Sequence, residues 1–263
     1  MHDLKKKMTA AAIVAATCAL TACGGGGGGS GDATGGGSVN PPVQASALAG
    51  RWTGGAGTRT LQTHTLADGS VWGIYSEDNS ALHGGFFHVQ AGVSGNHLSG
   101  TGKDFNMDGG GITASTFAAD VTPKQSITGT ATGSRAMSFG GSYESEFEQT
   151  PTLAAVAGAY LTTVTIVSTT SLASDASVGV DASGAVTGSV LGGCSFTGQL
   201  TPRTDANAFD LSLSFTSACP QGASTATGIA YYQPTDRVLK IAAASSNETA
   251  GVLALLFRAG GQP

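Results

Sequence analysis

The chain of 263 residues reads as all-β: two tandem small antiparallel β-barrels, or sandwiches, of about seven to eight strands each, after a glycine-rich tether. Three observations carry that reading. Apolar and polar residues alternate with a period of two in many short runs, turn residues separate the runs at hairpin spacing, and no helix-period run occurs beyond residue 22.

The alternation is cleanest in two segments. Between Met137 and Phe147 one parity holds Met137, Phe139, Gly141, Tyr143, Ser145 and Phe147, and the other holds Ser138, Gly140, Ser142, Glu144 and Glu146. Phe209, Leu211, Leu213 and Phe215 alternate with Asp210, Ser212, Ser214 and Thr216 in the same way. Successive side chains on a strand point to opposite sides, so each segment has one buried and one wet face. Further strands are expected over residues 59–66, 71–77, 82–91, 112–121, 126–132, 160–167, 177–181, 186–191, 195–201, 226–233, 238–244 and 251–258. Asp68-Gly69, Ser183-Gly184 and Gly109-Gly110-Gly111 punctuate them.

Two echoes divide this body. Leu48-Ala49-Gly50-Arg51-Trp52 recurs as Val156-Ala157-Gly158-Ala159-Tyr160, and Thr122-Pro123-Lys124 as Thr201-Pro202-Arg203 at a different offset. Gln149-Thr150-Pro151-Thr152 is the natural junction, giving β domains at 48–150 and 151–263.

Lys5, Lys6 and Lys7 precede an apolar run, Met8–Ala22, shorter than the about 20 residues that a membrane span needs. The run ends in Leu20-Thr21-Ala22-Cys23. A basic n-region, an apolar h-region and small residues before a cysteine resemble a bacterial lipoprotein export signal over residues 1–22. That resemblance implies acylation of Cys23, cleavage that leaves it as the first mature residue, and anchorage to a lipid bilayer. Acyl chains contribute about 0.8 kcal/mol per buried methylene, so three of them hold a protein in place. Gly24 stands where aspartate favours inner-membrane retention in Gram-negative lipoproteins, which implies the outer membrane. Residues 23–47, with the lipidated cysteine at their start, carry almost no apolar side chains and read as a flexible tether reaching about 25–30 Å. The layout resembles proteobacterial lipoproteins that join a lipobox, a glycine-rich tether and small β domains, a resemblance that implies no activity. More distantly it resembles surface lipoproteins whose paired β-barrels capture host proteins or metal carriers, none of whose local motifs occur here.

Loss of residues 1–22 would remove three of the 12 basic and one of the 17 acidic residues, leaving a formal charge of about −7. An acidic chain with no basic cluster after Lys7 does not bind nucleic acid. Cys194 and Cys219 are an even pair in an exported chain, for which a disulfide is the expectation; a two-cysteine metal site and two free thiols are the alternatives. If positions on the hairpin around residues 203–208 sum to 413, Leu200 faces Leu213, Gly198 faces Phe215 and Cys194 faces Cys219.

Candidate chemistry is sparse. Asp104, Asn106 and Asp108, followed by Gly109, match the first half of a calcium loop, but Ser115 stands where the bidentate glutamate belongs. A plain hairpin turn explains them as well. His64, His83, His88 and His97 fall in the first domain; His83 and His88, five apart, point to opposite faces of a regular strand and do not share an ion. Ala136-Met137-Ser138-Phe139-Gly140 misses the nucleophile elbow by one residue and lies within a strand. Glu144, Glu146 and Glu148 share one parity and read as a solvated face that discourages edge pairing. Of the adjacent pairs Phe86-Phe87 and Tyr231-Tyr232, each must put one ring outward. With Trp72 and Tyr75 these rings are candidate ligand or partner contacts, the alternative being packing between the domains.

The expectation is therefore a lipid-anchored, non-enzymatic binding or structural module of the cell envelope, with no cofactor, contacting an envelope protein, a glycan or a small apolar ligand. The alternative is a small-molecule or metal-ion carrier using the interior or loops of the first domain. Replacement of Cys23 tests the anchor: a Cys23→Ala chain should incorporate no labelled fatty acid and should leave the membrane fraction. Equal retention of both forms refutes the anchor.

Overall fold

The computed structural model describes residues 44–109, 111–168 and 171–259, with Ser171 described in its backbone alone. Cys23, the leader and most of the tether lie outside the described residues. Two antiparallel up-and-down barrels of eight strands each follow. The first comprises β1 (Gly50–Ala56), β2 (Arg59–Thr65), β3 (Ser70–Ser76), β4 (His83–Ser94), β5 (His97–Asn106), β6 (Gly111–Thr122), β7 (Ser126–Thr132) and β8 (Met137–Tyr143). The second comprises β9 (Gly158–Val167), β10 (Ser171–Val180), β11 (Ala185–Val190), β12 (Ser195–Pro202), β13 (Phe209–Phe215), β14 (Ser224–Gln233), β15 (Val238–Ser245) and β16 (Gly251–Arg258). Each strand pairs with its neighbours in sequence; β1–β8 and β9–β16 close the rings, which removes exposed sheet edges. Both barrels belong to one compact unit.

Side chains fill the interiors. Trp52, Tyr75, Phe87, Phe117 and Phe139 point into the first barrel, and Tyr160, Phe196, Leu200, Phe209 and Phe215 into the second. Barrels of eight strands are just wide enough for such a filling. Ring closure of the first barrel depends on small residues: Gly54 pairs with Gly141 and Gly55 with Gly140. A Cβ on Gly54 would overlap the Gly140 carbonyl oxygen, so only glycine lets β1 and β8 approach.

The structure differs from the sequence reading in four places. Two strands were not expected: β1, seen in the sequence only as an echo, and β5, whose charged end hid its alternation. The strand expected to run to Phe147 ends at Tyr143, and Ser145–Glu148 form a 3₁₀ turn, so Glu144, Glu146 and Glu148 do not share a strand face. Ser76 pairs with His83 and Tyr75 with Gly85, leaving Gly84 as an extra residue. This bulge flips the parity and brings His83 and His88 to the same outer face of β4. Finally, Phe196 pairs with Phe215, Gly198 with Leu213 and Leu200 with Leu211, two residues away from the expected register. A shift of two keeps every side chain on its own face, so the apolar pattern does not choose between the registers.

Cys194 and Cys219 are disulfide-bonded, with Cα atoms 4.3 Å apart. Cys219 lies beyond β13 in a turn held by its N–H donating to Thr216 O at 3.1 Å, so the bond ties the open end of the β12–β13 hairpin from outside the ladder. A closed loop of 25 residues is worth on the order of 3 kcal/mol by the chain-entropy estimate. Reduction should lower the melting temperature of the second barrel and leave the first unchanged, as read by calorimetry; an unaltered thermogram counts against this role.

Candidate functional site between the barrels

Much of the outer surface of each barrel is small or hydroxylated, with Leu161, Leu172 and Phe257 exposed on the second. Along β2–β5 of the first and β14–β16 of the second it is not, and these two faces cover one another. Trp72, Phe86 and Phe105 of the first barrel share a buried cluster with Ile229, Tyr231 and Leu253 of the second. Gly251 permits the approach, because a Cβ there would strike the rings of Phe105 and Phe86. Burying a phenylalanine fully is worth about 1.5–3 kcal/mol, so Phe86 and Phe105 alone hold the seam appreciably.

A polar network lies beside this cluster, organised on Gln62. Its Oε1 accepts from the Tyr231 hydroxyl and from Lys240 Nζ, the latter at 3.3 Å. Its Nε2 donates to Thr53 Oγ1 at 3.1 Å and Glu144 Oε1 at 3.2 Å. Arg51 Nε pairs with Glu144 Oε2, and the guanidinium lies 5.7 Å from the Tyr231 ring centroid. Lys240 Nζ stands over the same ring at 5.8 Å. Burial, with Glu144 adding and Arg51 opposing, raises the Tyr231 pKa far above the ordinary phenol value. Burial lowers that of Lys240 against the pull of Asp236 and Glu144. His64 packs on Tyr231 with centroids 4.2 Å apart, and neither of its ring nitrogens has a hydrogen-bond partner.

At one end of the seam a crevice of about 380 Å³ opens between the barrels, bordered by Asp68, Ser70 and His88 on one side and Gln199, Arg203 and Asp210 on the other. Arg203 is its fixed point. The guanidinium donates to Asp205 at 2.9 and 3.0 Å, to Asp210 at 2.6 Å and, across the seam, to Asp68 at 3.2 Å. Burial works against its charge, yet Asp205 and Asp210 hold its pKa above the ordinary value. One cation among three carboxylates leaves an excess of two negative charges and more acceptors than donors. Ser70 Oγ lies 3.3 Å from His88 Nε2, and His88 Nδ1 lies 3.9 Å from Glu248. The order is that of a nucleophile, base and orienting acid, but 3.9 Å is not a hydrogen bond, and stacking on Trp72 at 4.1 Å fixes the imidazole instead.

The aromatic and loop residues singled out from sequence fall to the alternatives of inter-barrel packing and local turn structure. Trp72, Phe86 and Tyr231 face outward but are covered by the opposite barrel; Tyr75 and Phe87 lie in the first interior, and Tyr232 packs against the second. Packing between the barrels, the alternative to exposed contact, therefore accounts for the outward rings. Asp104 is buried, accepting from the Tyr75 hydroxyl at 2.7 Å and from Ser134 N and Oγ at 2.9 and 2.7 Å. Burial and Asp104 together raise the Tyr75 pKa. Asn106 donates to Ser134 Oγ and accepts from Asp108 N–H, a local turn geometry, while the Asp108 carboxylate lies 4.0 Å from Arg59. Among the described residues no group of three or more His, Cys, Asp or Glu is placed to hold a metal ion. Glu144, read as solvated, is the acid of the seam network. Arg51, Gln62 and Lys240 carried no signal as single residues, and His64 stood out only as one of four histidines. The signal for the seam lay in residues 238–244, apolar on both parities except at Lys240.

No protein-family model matches the chain, and no curated protein sequence matches it. Comparison with solved structures returns matches at low TM-score and low identity. Transferrin binding protein B from serogroup B Neisseria meningitidis is 10% identical at a TM-score of 0.30, over 76% of this chain and 66% of that one. A double mutant of transferrin binding protein B from Haemophilus parasuis is 12% identical at 0.26, over 75% and 52%. A protein of unknown function from Nostoc punctiforme, of the DUF3598 family, is 8% identical at 0.32, over 82% and 99%. The chain thus spans less than two thirds of the length of the two transferrin binding proteins. TM-scores of this size carry no inference about ligand or activity.

Arg51 tests the network. Its side chain is 2% exposed, and Arg51→Met should leave Glu144 without its cation and destabilise the protein by about 3 kcal/mol in chemical denaturation. Adding Glu144→Gln should recover part of that loss; independent, additive losses would show that the pair does not act together.

Proposed function

We propose that the protein is a cell-envelope lipoprotein, anchored through acylated Cys23, that acts as a non-enzymatic binding module with the inter-barrel crevice as its ligand site. In this reading residues 1–22 are the signal, 23–47 the anchor and tether, and 48–150 and 151–263 the paired domains. The observation that carries it is the crevice itself: a concavity shared by two rigid barrels, its polar lining held by an arginine that reaches both. Such sites form preferentially at domain junctions. The excess of carboxylates disfavours an anionic ligand. Acceptors from Asp68 and Asp210, with hydroxyls from Ser70, Thr201, Ser212 and Thr227, suit a neutral, hydroxyl-rich molecule, and we assign the glycan class to it. A carrier would need room inside the first barrel, where Trp52, Tyr75, Phe87, Phe117 and Phe139 sit.

Binding of the mature chain to an array of neutral envelope oligosaccharides, followed by titration calorimetry, tests this. Asp210→Ala should weaken a positive ligand about tenfold or more, the expected loss for a hydrogen bond to a charged group. Ser177→Ala, on the outer face of the second barrel, should not. Equal affinities for the two variants, or retention of no saccharide at all, would refute the glycan site.

A further inference from the structure

Three of the four histidines of the described chain stand on the outer faces of β2 and β4 where these meet the second barrel. His64 is 1% exposed, between its cross-strand neighbours Arg51 on β1 and Trp72 on β3, and against Tyr231 on β14. The charged groups around it are Arg51, Lys240 on β15 and Glu144, whose charge is spent on Arg51, Thr53 and Gln62. His83 also feels Lys240, and one of its ring nitrogens is buried without a partner. His88 differs, since Glu248 and Asp68 face it and pull against the effect of burial.

We propose that the seam is an acid-labile joint: protonation of His64, which the closed interface cannot accept beside Arg51 and Lys240, separates the outer faces of the two barrels. No acceptor is placed to take either N–H of an imidazolium, and Arg51 and Lys240 repel its charge. Burial, then Arg51 and Lys240, hold the His64 pKa well below 6.5 in the closed state, and burial holds that of His83 at about 4. Once the faces part, both rings regain water and an ordinary pKa near 6.5. The sign follows from linkage. Above pH 6.5 both states are neutral and the joint is unaffected. Below it the open state binds protons that the closed state refuses, and closure weakens by up to about tenfold per pH unit for each such histidine until the closed-state pKa is reached. Opening would also dismantle the crevice, a consequence that rests on the binding site proposed above; the joint itself does not.

Ala242, fully buried in the seam and small, serves as a reporter. In the mature chain carrying Ala242→Cys, the labelling rate of the introduced thiol by a maleimide, divided by that of a free cysteine peptide at the same pH, should rise between pH 7.5 and 5.5. It should rise several-fold less when His64→Phe is added, since phenylalanine keeps the ring packing on Tyr231 without a titrating group. Acrylamide quenching of Trp72 in the chain without an introduced thiol should follow the same pH course. A flat normalised rate, or equal slopes with and without His64, would overturn the proposal whether or not any glycan binds.

Discussion

Burial of both faces of a strand is the constraint from which the rest of this structure follows. A strand in a small barrel has one face in the core and one in water, and β13, with a strict alternation of buried and exposed residues, obeys that rule. β2, β3 and β15 do not: almost every position in them is buried, because the outward face of each meets the other barrel. Apolar residues lose nothing by this second burial. Polar ones must find partners or remain costly, and the seam contains both outcomes within a few residues of each other. Gln62 uses both ends of its amide, joining the Tyr231 and Lys240 side to the Thr53 and Glu144 side. His64, two positions along the same face, has none.

The chain between the barrels is built into the same arrangement. The Asn207 side chain donates to Glu146 O and its N–H to Phe147 O, both at 2.8 Å, which fixes the 3₁₀ turn after β8 against the loop between β12 and β13. Arg258 of β16 donates to Ala155 O and Ala157 O just before β9. The linker therefore carries structure in the closed arrangement. Its first residue beyond β8, Glu144, is also the acid that neutralises Arg51, so the path of the chain and the electrostatics of the seam are set by one short segment. The exposed ion pairs at the crevice add little to stability individually, and their effect is to orient Arg203.

How much of this was legible depends on what the pattern measures. Periodicity reports which face of a strand is apolar, so the all-β class and most strands were readable. Cys194 and Cys219 could be paired because few cysteines remain beyond the leader. Register within the β12–β13 hairpin was not readable, since Leu200 opposite Leu211 and Leu200 opposite Leu213 satisfy the same alternation. β1 was missed because Gly54 and Gly55 blank its pattern where ring closure requires them, and β5 because Asp104 points inward, where its charge is met by Tyr75 and Ser134. The seam was the least readable part. Arg-Thr-Leu-Gln-Thr-His-Thr on β2 looks like a solvated strand, and only a partner surface more than 160 residues away, at Tyr231 and Lys240, makes its polar face an interior one.

The two ends of the junction thus differ in kind. At the crevice, charge is compensated and facing water: Arg203 has three carboxylates, and a further donor or acceptor can be added at little cost. At Tyr231, Arg51 and Lys240 both lie over one phenol ring; Glu144 pairs with Arg51, with Glu146 4.0 Å away, Asp236 and Glu144 act on Lys240, and of these groups His64 alone is left without a hydrogen-bond partner. A junction optimised for stability alone would fill the position of His64 with an apolar ring, which keeps the stacking on Tyr231 and strands no polar atom. An imidazole there leaves two ring nitrogens without partners and contributes one property an apolar ring lacks, a proton affinity that depends on whether the two barrels are together.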